Sequence, residues 1–513
     1  MLTGLDYFVI AAYLVGVAAL GIRAGGRQTN TTDYFLGSRN LPWWAVCFSV
    51  VATETSTLTV ISVPAVAYGG NLTFLQLTIG YLIGRVLVSL FFLPRYFQGE
   101  LTTAYAFLGQ RYGDGLRAAA SVTFLVTRLL ADGVRLFATA IPIKVIADMA
   151  GFETSYFQII LLIGLVTIVY TYIGGIKAVV WMDVVQMLIY VGGALLAVLL
   201  LLGQVPEGWW DAARAAGKTK LFDPALGRGL NYVLTSPYAA VTAILGGAIL
   251  SMASHGTDQL IVQRLLACRN LADSRKALIG SAFVVMAQFA LFLFVGLLLW
   301  AYYGGASPEA IGLTRADEVF PRFVIEGLPP GLSGLMLAGI LAAAMSTLSS
   351  SLNALASSSM MDLYERFLGR ALPAPKALRT ARWMTLFWGV VFIGFANLFE
   401  DQQNPVVELG LSIASFTYGG LLGVFLLGLL NRRSRQTDAL VAFVLTLGTM
   451  VLVIFGVRHS PVDGWLFMPE DDPALRAIGW PWYTAIGAAL TLLLGSLAAL
   501  RHRQDEGTGM PAR

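Results

Sequence analysis

The chain of 513 residues is 57% hydrophobic and 12% charged, with mean hydropathy +0.71, more apolar material than a soluble core of that size can hide. Its net charge of +4 gives no basis for a nucleic-acid partner, and its three histidines, His255, His459 and His502, have no metal-ligand spacing that would suit an enzyme. What remains is an all-α polytopic membrane protein, because backbone in lipid must satisfy its own hydrogen bonds.

Stretches long enough to cross about 30 Å of hydrocarbon predict thirteen spans: 5–23, 42–68, 73–94, 118–147, 156–175, 178–203, 237–256, 277–303, 331–359, 383–399, 405–430, 438–457 and 479–500. The first lacks a basic leader and a small-residue cleavage site, so it is expected to be a retained helix. If the N-terminus is outside, the inner loops and tail carry 22 of the 34 Lys and Arg, Arg264 among them, and the outer loops 8. That alternation places the C-terminus in the cytoplasm and fits a bacterial inner membrane. The connections at 204–236, 304–330 and 458–478 are too short to bury a core, so 1–513 reads as one transmembrane domain.

In the second span, "VVATETSTLTVISVPAVAYGG" (50–70) sets Glu54 among threonines and serines ahead of Pro64. Such a segment permits an interrupted helix whose unwound carbonyls face a cavity. The fourth span contains Arg128, Asp132 and Arg135, spaced by four and three residues on one helix face. Either the three neutralise one another as an internal ion network, or Asp132 neutralises Arg128 while Arg135 reaches a solute carboxylate, which a guanidinium fork suits. Further on, "YTYIGGIKAVVWMDVVQ" (170–186) is a Gly-Gly inner turn with Asp183 about one turn into the next span; that carboxylate is either an interfacial cap or a functional group.

The stretch "AILSMASHGTDQLIVQR" (248–264) interrupts an apolar run at Ser251, Ser254, His255 and Gly256. This break and the one at 52–56 run in opposite directions through the membrane, the pattern of an inverted repeat with a midplane site. Residues 342–359, "AAAMSTLSSSLNALASSS", then align Ser346, Ser349, Ser350, Asn353 and Ser357 along one stripe, with Thr347 beside them. Small hydroxylated residues let helices pack closely. Uncharged oxygens in a dry site also suit an alkali cation that gives up its water.

Four stretches in order resemble the sodium:solute symporter family, which includes the sodium/proline, sodium/sugar and sodium/sialic acid carriers. They are "TDYFLGSRNLPWW" (32–44), "YIGGIKAVVWMDVVQ" (172–186), "TDQLIVQRLLA" (257–267) and "LAAAMSTLSSSLNA" (341–354). The resemblance covers nearly the whole chain and implies a LeuT-type 5+5 inverted repeat. Repeat 1 would occupy 42–203 and repeat 2 237–430, with 1–41 as a first helix and inner loop and 431–513 as two peripheral helices and a tail.

Carried over residue by residue, it implies a sodium site formed by the carbonyls of Ala52, Thr55 and Ala343 with the hydroxyls of Ser346 and Thr347. Glu54 would support that site. A second sodium would use Asp183, Ser346, Ser349 and Ser350, giving one or two Na+ per cycle and no organic cofactor. The solute would lie beside the breaks, with Thr59, Gln76, Arg135, Ser251 and His255 as candidates, although His255 suits a carbonyl at the break equally well. Thr59 and Ser251 stand where sugar carriers have longer amides, so a sialic, monocarboxylic or amino acid is favoured over a sugar. The expected activity is sodium-coupled import of a small polar solute by alternating access, with lipid as surroundings and a monomer as the working unit. A proton-coupled carrier titrating Glu54 or Asp183 is the alternative, and a cation channel a more distant one.

Overall fold

Hydrocarbon leaves helix as the only open-chain way to satisfy a backbone, and helices make up the described apolar segments of this chain. The computed structural model describes residues 2–149, 151–369, 372–399, 406–470, 472 and 474–503. The first residue of the predicted 405–430 span and the tail beyond 503 lie outside them.

In chain order the principal helices are α1 (Gly4–Gly25), α2 (Trp43–Glu54), α3 (Thr57–Gly69), α4 (Gln76–Phe91), α5 (Asp114–Met149), α6 (Tyr156–Leu202) and α7 (Gly247–Gly256). There follow α8 (Gln259–Leu266), α9 (Leu271–Tyr302), α10 (Leu332–Ser358), α11 (Ala374–Ala396), α12 (Val406–Leu430), α13 (Gln436–Gly456) and α14 (Pro481–Ala499). Among the described residues seven helices are long and apolar enough to cross a membrane, or eight if the bent pair α2–α3 is one span.

Local chemistry sets several boundaries. Ser155 caps α6 and Asn270 caps α9, each side-chain oxygen accepting a backbone N–H three residues on. Helix α6 would be about 70 Å long if straight, more than twice the hydrocarbon thickness. It divides at Gly175, whose φ of +56° and ψ of −152° interrupt the helix; a Cβ there would meet the Tyr34 carbonyl oxygen at 2.5 Å. Gly175 thus separates two helical segments at the place where the sequence put the Gly-Gly turn.

Burial ranks the helices. In the most apolar window of α10 89% of residues are buried, against 22% in α1 and 39% in α13 and α14. Helix α10 is thus the central post, packed on α6, α5, α2 and α1, while the outer faces of α1 and α11 present Phe8, Val15, Trp383, Phe387 and Val390 as lipid-facing surface. The connection after α13 forms a hairpin of β1 (Val457–Ser460) and β2 (Gly464–Phe467), with Val457 opposite Phe467.

Candidate functional site

The first break lies where the sequence suggested. Helices α2 and α3 meet at 68° across Thr55 and Ser56. The N–H of Ser56, which in an unbroken helix would bond the Ala52 carbonyl, is turned to Thr59 Oγ1 at 3.3 Å. Among the described residues the Ala52 and Thr55 carbonyls have no backbone partner outside their own helix. The Thr55 side chain is already engaged, donating to Val51 O (2.8 Å) and accepting from Gln288 Nε2 (2.7 Å), so only its carbonyl is left for a ligand.

Helix α10 lies against this break. Thr57 Oγ1 donates to Ile340 O at 3.0 Å, and Thr53 Oγ1 lies 3.2 Å from Ser350 Oγ. Ala343, Ser346 and Thr347 fall between those two links and so lie along the broken segment. The whole stripe is buried, with Ser346, Ser349, Ser350, Asn353 and Ser357 all at 0% exposure. It is not the only polar face, since Ser351 points the other way and donates to Asp132 Oδ2 at 2.6 Å.

Asp183 joins the stripe from α6. Its Oδ1 accepts from Ser346 Oγ (2.6 Å) and its Oδ2 from Ser49 Oγ (2.5 Å), at 0% exposure. The structure therefore brings Asp183, Ser346 and Ser350 into one buried cluster, and the interfacial-cap alternative for Asp183 is set aside. Arg264 also enters this cluster. Counted from the sequence as an inner-loop cation, it is fully buried on α8 and donates to Asp183 Oδ2 at 3.3 Å.

A cavity of about 300 Å³ opens beside the break, lined among others by Glu54, Thr59, Arg135, Ser251 and His255. Apolar groups make up most of its remaining wall, including Phe74, Leu250, Phe289 and Trp480. Gln76 does not line it. That amide bonds the carbonyls of Thr73 and Tyr238 (both 3.1 Å) and accepts from Asp223 N–H (3.2 Å), so it ties the 204–236 connection to α4 and is not brought together with the other solute candidates.

Glu54 is likewise committed. Its two oxygens take a bidentate contact from Arg85 Nη2 at 2.7 and 2.6 Å, and His255 Nε2 stands 3.0 Å from Oε1, close but out of hydrogen-bond alignment. Both oxygens are thus occupied by side chains other than the hydroxyl stripe, which speaks against direct support of an ion. His255 Nδ1 faces Ser254 Oγ (2.8 Å) and Ser251 O (3.2 Å), and Ser251 Oγ donates to Tyr81 O (3.2 Å).

Helix α5 settles its alternatives unevenly. Arg128 Nη2 bonds Asp258 Oδ2 and the Tyr418 hydroxyl, with Asp132 more distant at 3.4 Å. The Arg–Asp–Arg reading thus captured a network whose principal anion, Asp258, comes from another part of the chain, the cap position just before α8. Arg135 makes one side-chain hydrogen bond among the described residues, Nη1 to Asp132 Oδ1 at 3.1 Å, and at 24% exposure its remaining donors are free toward the cavity.

The second break falls later than expected. Ser251 through Gly256 remain helical in α7, and the interruption is at Thr257 and Asp258, where the Asp258 side chain caps α8 through Leu260 N–H at 2.9 Å. Nothing in Ser251, Ser254 or His255 forbids helix; the Asx cap is what ends it. Farther along the same bundle, Arg117 and Thr103 meet Asp362 at 2.7 and 2.6 Å, and Gln263 donates to Asn353 at 2.7 Å. Arg85, Asp258, Arg264 and Asp362 escaped the sequence reading as site residues, and the signal available was the requirement that each buried carboxylate find a cation.

The model of the sodium:solute symporter family matches residues 34–446. The chain is 28% identical over 500 residues to the sodium/sialic acid symporter of Aliivibrio fischeri, covering 96% of this chain and 93% of that protein. It is 28% identical over 467 residues to the human sodium-coupled monocarboxylate transporter 1, covering 89% and 74% respectively. Among solved structures, a Na+-coupled sialic acid symporter in a substrate-bound outward-open state, reported with a novel Na+ site, superposes with a TM-score of 0.83 at 25% identity, covering 100% of this chain and 99% of that one.

Proposed function

The chain belongs to the sodium:solute symporter family, and from that premise we propose that it imports a small carboxylate-bearing solute together with sodium by alternating access. A sialic, monocarboxylic or amino acid fits this class. The observation that carries the solute class is Arg135, a cation in the cavity wall with one internal hydrogen bond and free donors beside it.

Charge accounting supports the reading. Around the cavity Arg85 is matched by Glu54 and Arg128 by Asp258, while Asp132 is shared by Arg128 and Arg135. Arg128 and Arg85 keep only a buried Nε without a partner, so among the described residues Arg135 is the partly exposed cation in the wall that an entering carboxylate can reach. The apolar remainder of the wall suits the carbon skeleton of the solute, while Arg135 favours one that carries a carboxylate over a neutral sugar.

Sodium would sit at the carbonyls of Ala52, Thr55 and Ala343 and the hydroxyls of Ser346 and Thr347, between the broken helix and α10. The freed Ala52 carbonyl is the feature of this set that supports it best. A second sodium would use Asp183 with Ser346, Ser349 and Ser350. Binding at the first set holds α2, α3 and α10 in one arrangement. That arrangement presents Thr59, Ser251, His255 and Arg135 to the solute, so ion and solute favour the same state.

The architecture we propose has thirteen crossings, with repeats at 42–203 and 237–430 flanked by 1–41 and 431–513. The N-terminus is outside and the C-terminus inside a bacterial inner membrane, and the working unit is a monomer. The test of the solute class is uptake by Arg135→Ala and Arg135→Lys. Loss of a charge-assisted fork should weaken carboxylate uptake by about thirtyfold or more, while sodium-dependent thermal stabilisation of the purified variants is retained. Unchanged uptake of carboxylates by both variants would discard the assignment.

A further inference from the structure

The oxygen set assigned to the second sodium already holds a positive charge. Arg264 is at 0% exposure, and each of its nitrogens has a partner in this cluster. Nε donates to Ser49 Oγ (2.9 Å), Nη1 to Leu260 O (2.7 Å), and Nη2 to Ser350 Oγ and Asp183 Oδ2, the latter at 3.3 Å. Two of the four groups that would ligate the ion, Asp183 and Ser350, thus bind the guanidinium instead. A third, Ser346, gives its proton to the other oxygen of the same carboxylate.

Asp183 is the only carboxylate in direct contact with this set among the described residues, and one carboxylate cannot neutralise two cations that share its oxygens in a medium of low dielectric. We propose that Arg264 is a tethered occupant of the second sodium site, so that its guanidinium and a sodium ion exclude each other. Sodium arriving at Asp183 and Ser350 displaces Arg264, and the displacement loosens α8 from Ser49 on α2, Asp183 on α6 and Ser350 on α10. Because α8 directly follows the break at Thr257 and Asp258, the ion's arrival is conveyed to the helix pair that lines the solute cavity.

This inference rests on the sodium reading given above, and its test separates the two. Full-length protein in detergent is melted across a sodium titration at constant ionic strength, with potassium as the replacement ion. In Arg264→Gln the half-saturating sodium concentration should fall by about tenfold or more, since removing a competing charge from one carboxylate is worth at least one pKa-sized step. Adding Asp183→Asn to that variant should abolish the gain. An Arg264→Gln protein that loses stability equally in sodium and potassium, or keeps its original half-saturation, overturns the proposal and leaves a structural ion pair.

Thr347→Ala, which touches only the first sodium set, is melted in parallel. A sodium response shifted by Thr347→Ala but untouched by Arg264→Gln preserves sodium coupling and removes this inference; no sodium response in any protein removes both. Should Arg264→Gln fail to fold, hydrogen exchange of the unmutated chain decides the matter. Peptide 257–267 is expected to exchange faster in sodium than in potassium, and equal or slower exchange there counts against displacement.

Discussion

A serine oxygen held in a dry helix packing has few uses, and Ser346 combines two of them. Its hydroxyl proton goes to Asp183 at 2.6 Å, while its oxygen can still accept, on a stripe that runs along the Ala52–Ser56 break. Thr347 is less committed, with a single 3.2 Å bond to Ala343 O. Replacing Ser346 and Thr347 together by alanine removes two neutral oxygens, each worth on the order of 1–1.5 kcal/mol, and so should raise the half-saturating sodium concentration by about a hundredfold. Sodium-dependent uptake with unaltered apparent affinity in that double variant would show that the stripe is packing only. The stripe was legible from periodicity because i, i+3 and i+4 spacing needs no tertiary information. Arg264 was not, because an arginine just past a predicted span looks the same in sequence whether it faces water or folds back onto Asp183. The contacts of Gln76 were hidden for a similar reason, two of its three partners lying 147 and 162 residues away.

Among elements, the two breaks show what local sequence does and does not encode. Around Thr55 and Ser56 a cluster of hydroxyls competes for backbone donors, so the break announces itself. In the second half Ser251 and Ser254 stay helical, their hydroxyls bonded to Tyr81 O and His255 Nδ1, and a single aspartate, Asp258, both caps α8 and neutralises Arg128. These two roles can be pulled apart by substitution. Asparagine at 258 retains the cap, so the destabilisation of Asp258→Asn, about 3 kcal/mol if the Arg128 charge is left poorly compensated, reports the ion pair alone. Asp258→Ala should lose roughly a further 1 kcal/mol from the cap. Denaturation midpoints of the two variants that coincide would refute the capping role, and an Asp258→Asn protein as stable as the parent would refute the electrostatic one. A short hairpin such as β1–β2 left no comparable trace, since its strands are four residues each and carry no run of alternating apolar side chains.

At the scale of the whole molecule, hydropathy revealed the apolar segments because lipid tolerates so few alternatives to helix. The way those segments close around α10 depends on contacts between residues hundreds of positions apart, and no periodicity records them. The same long-range assembly fixes what a transport cycle moves electrically. A monocarboxylate entering with one sodium carries no net charge, whereas entry with two carries one positive charge inward. If Asp183 accepts a sodium in exchange for Arg264, the guanidinium stays tethered to the protein and both ions travel with the solute. Uptake should then be electrogenic: an inside-negative potential of about 100 mV contributes about 2.3 kcal/mol per charge and raises the limiting accumulation ratio by about fiftyfold. Proteoliposomes holding a fixed sodium gradient, with the potential set by potassium and valinomycin, measure that ratio directly. A ratio independent of potential would limit the cycle to one sodium per carboxylate. Arg264 would then be a permanent resident of its site, and the measured electroneutrality would identify it as the charge that replaces the second ion.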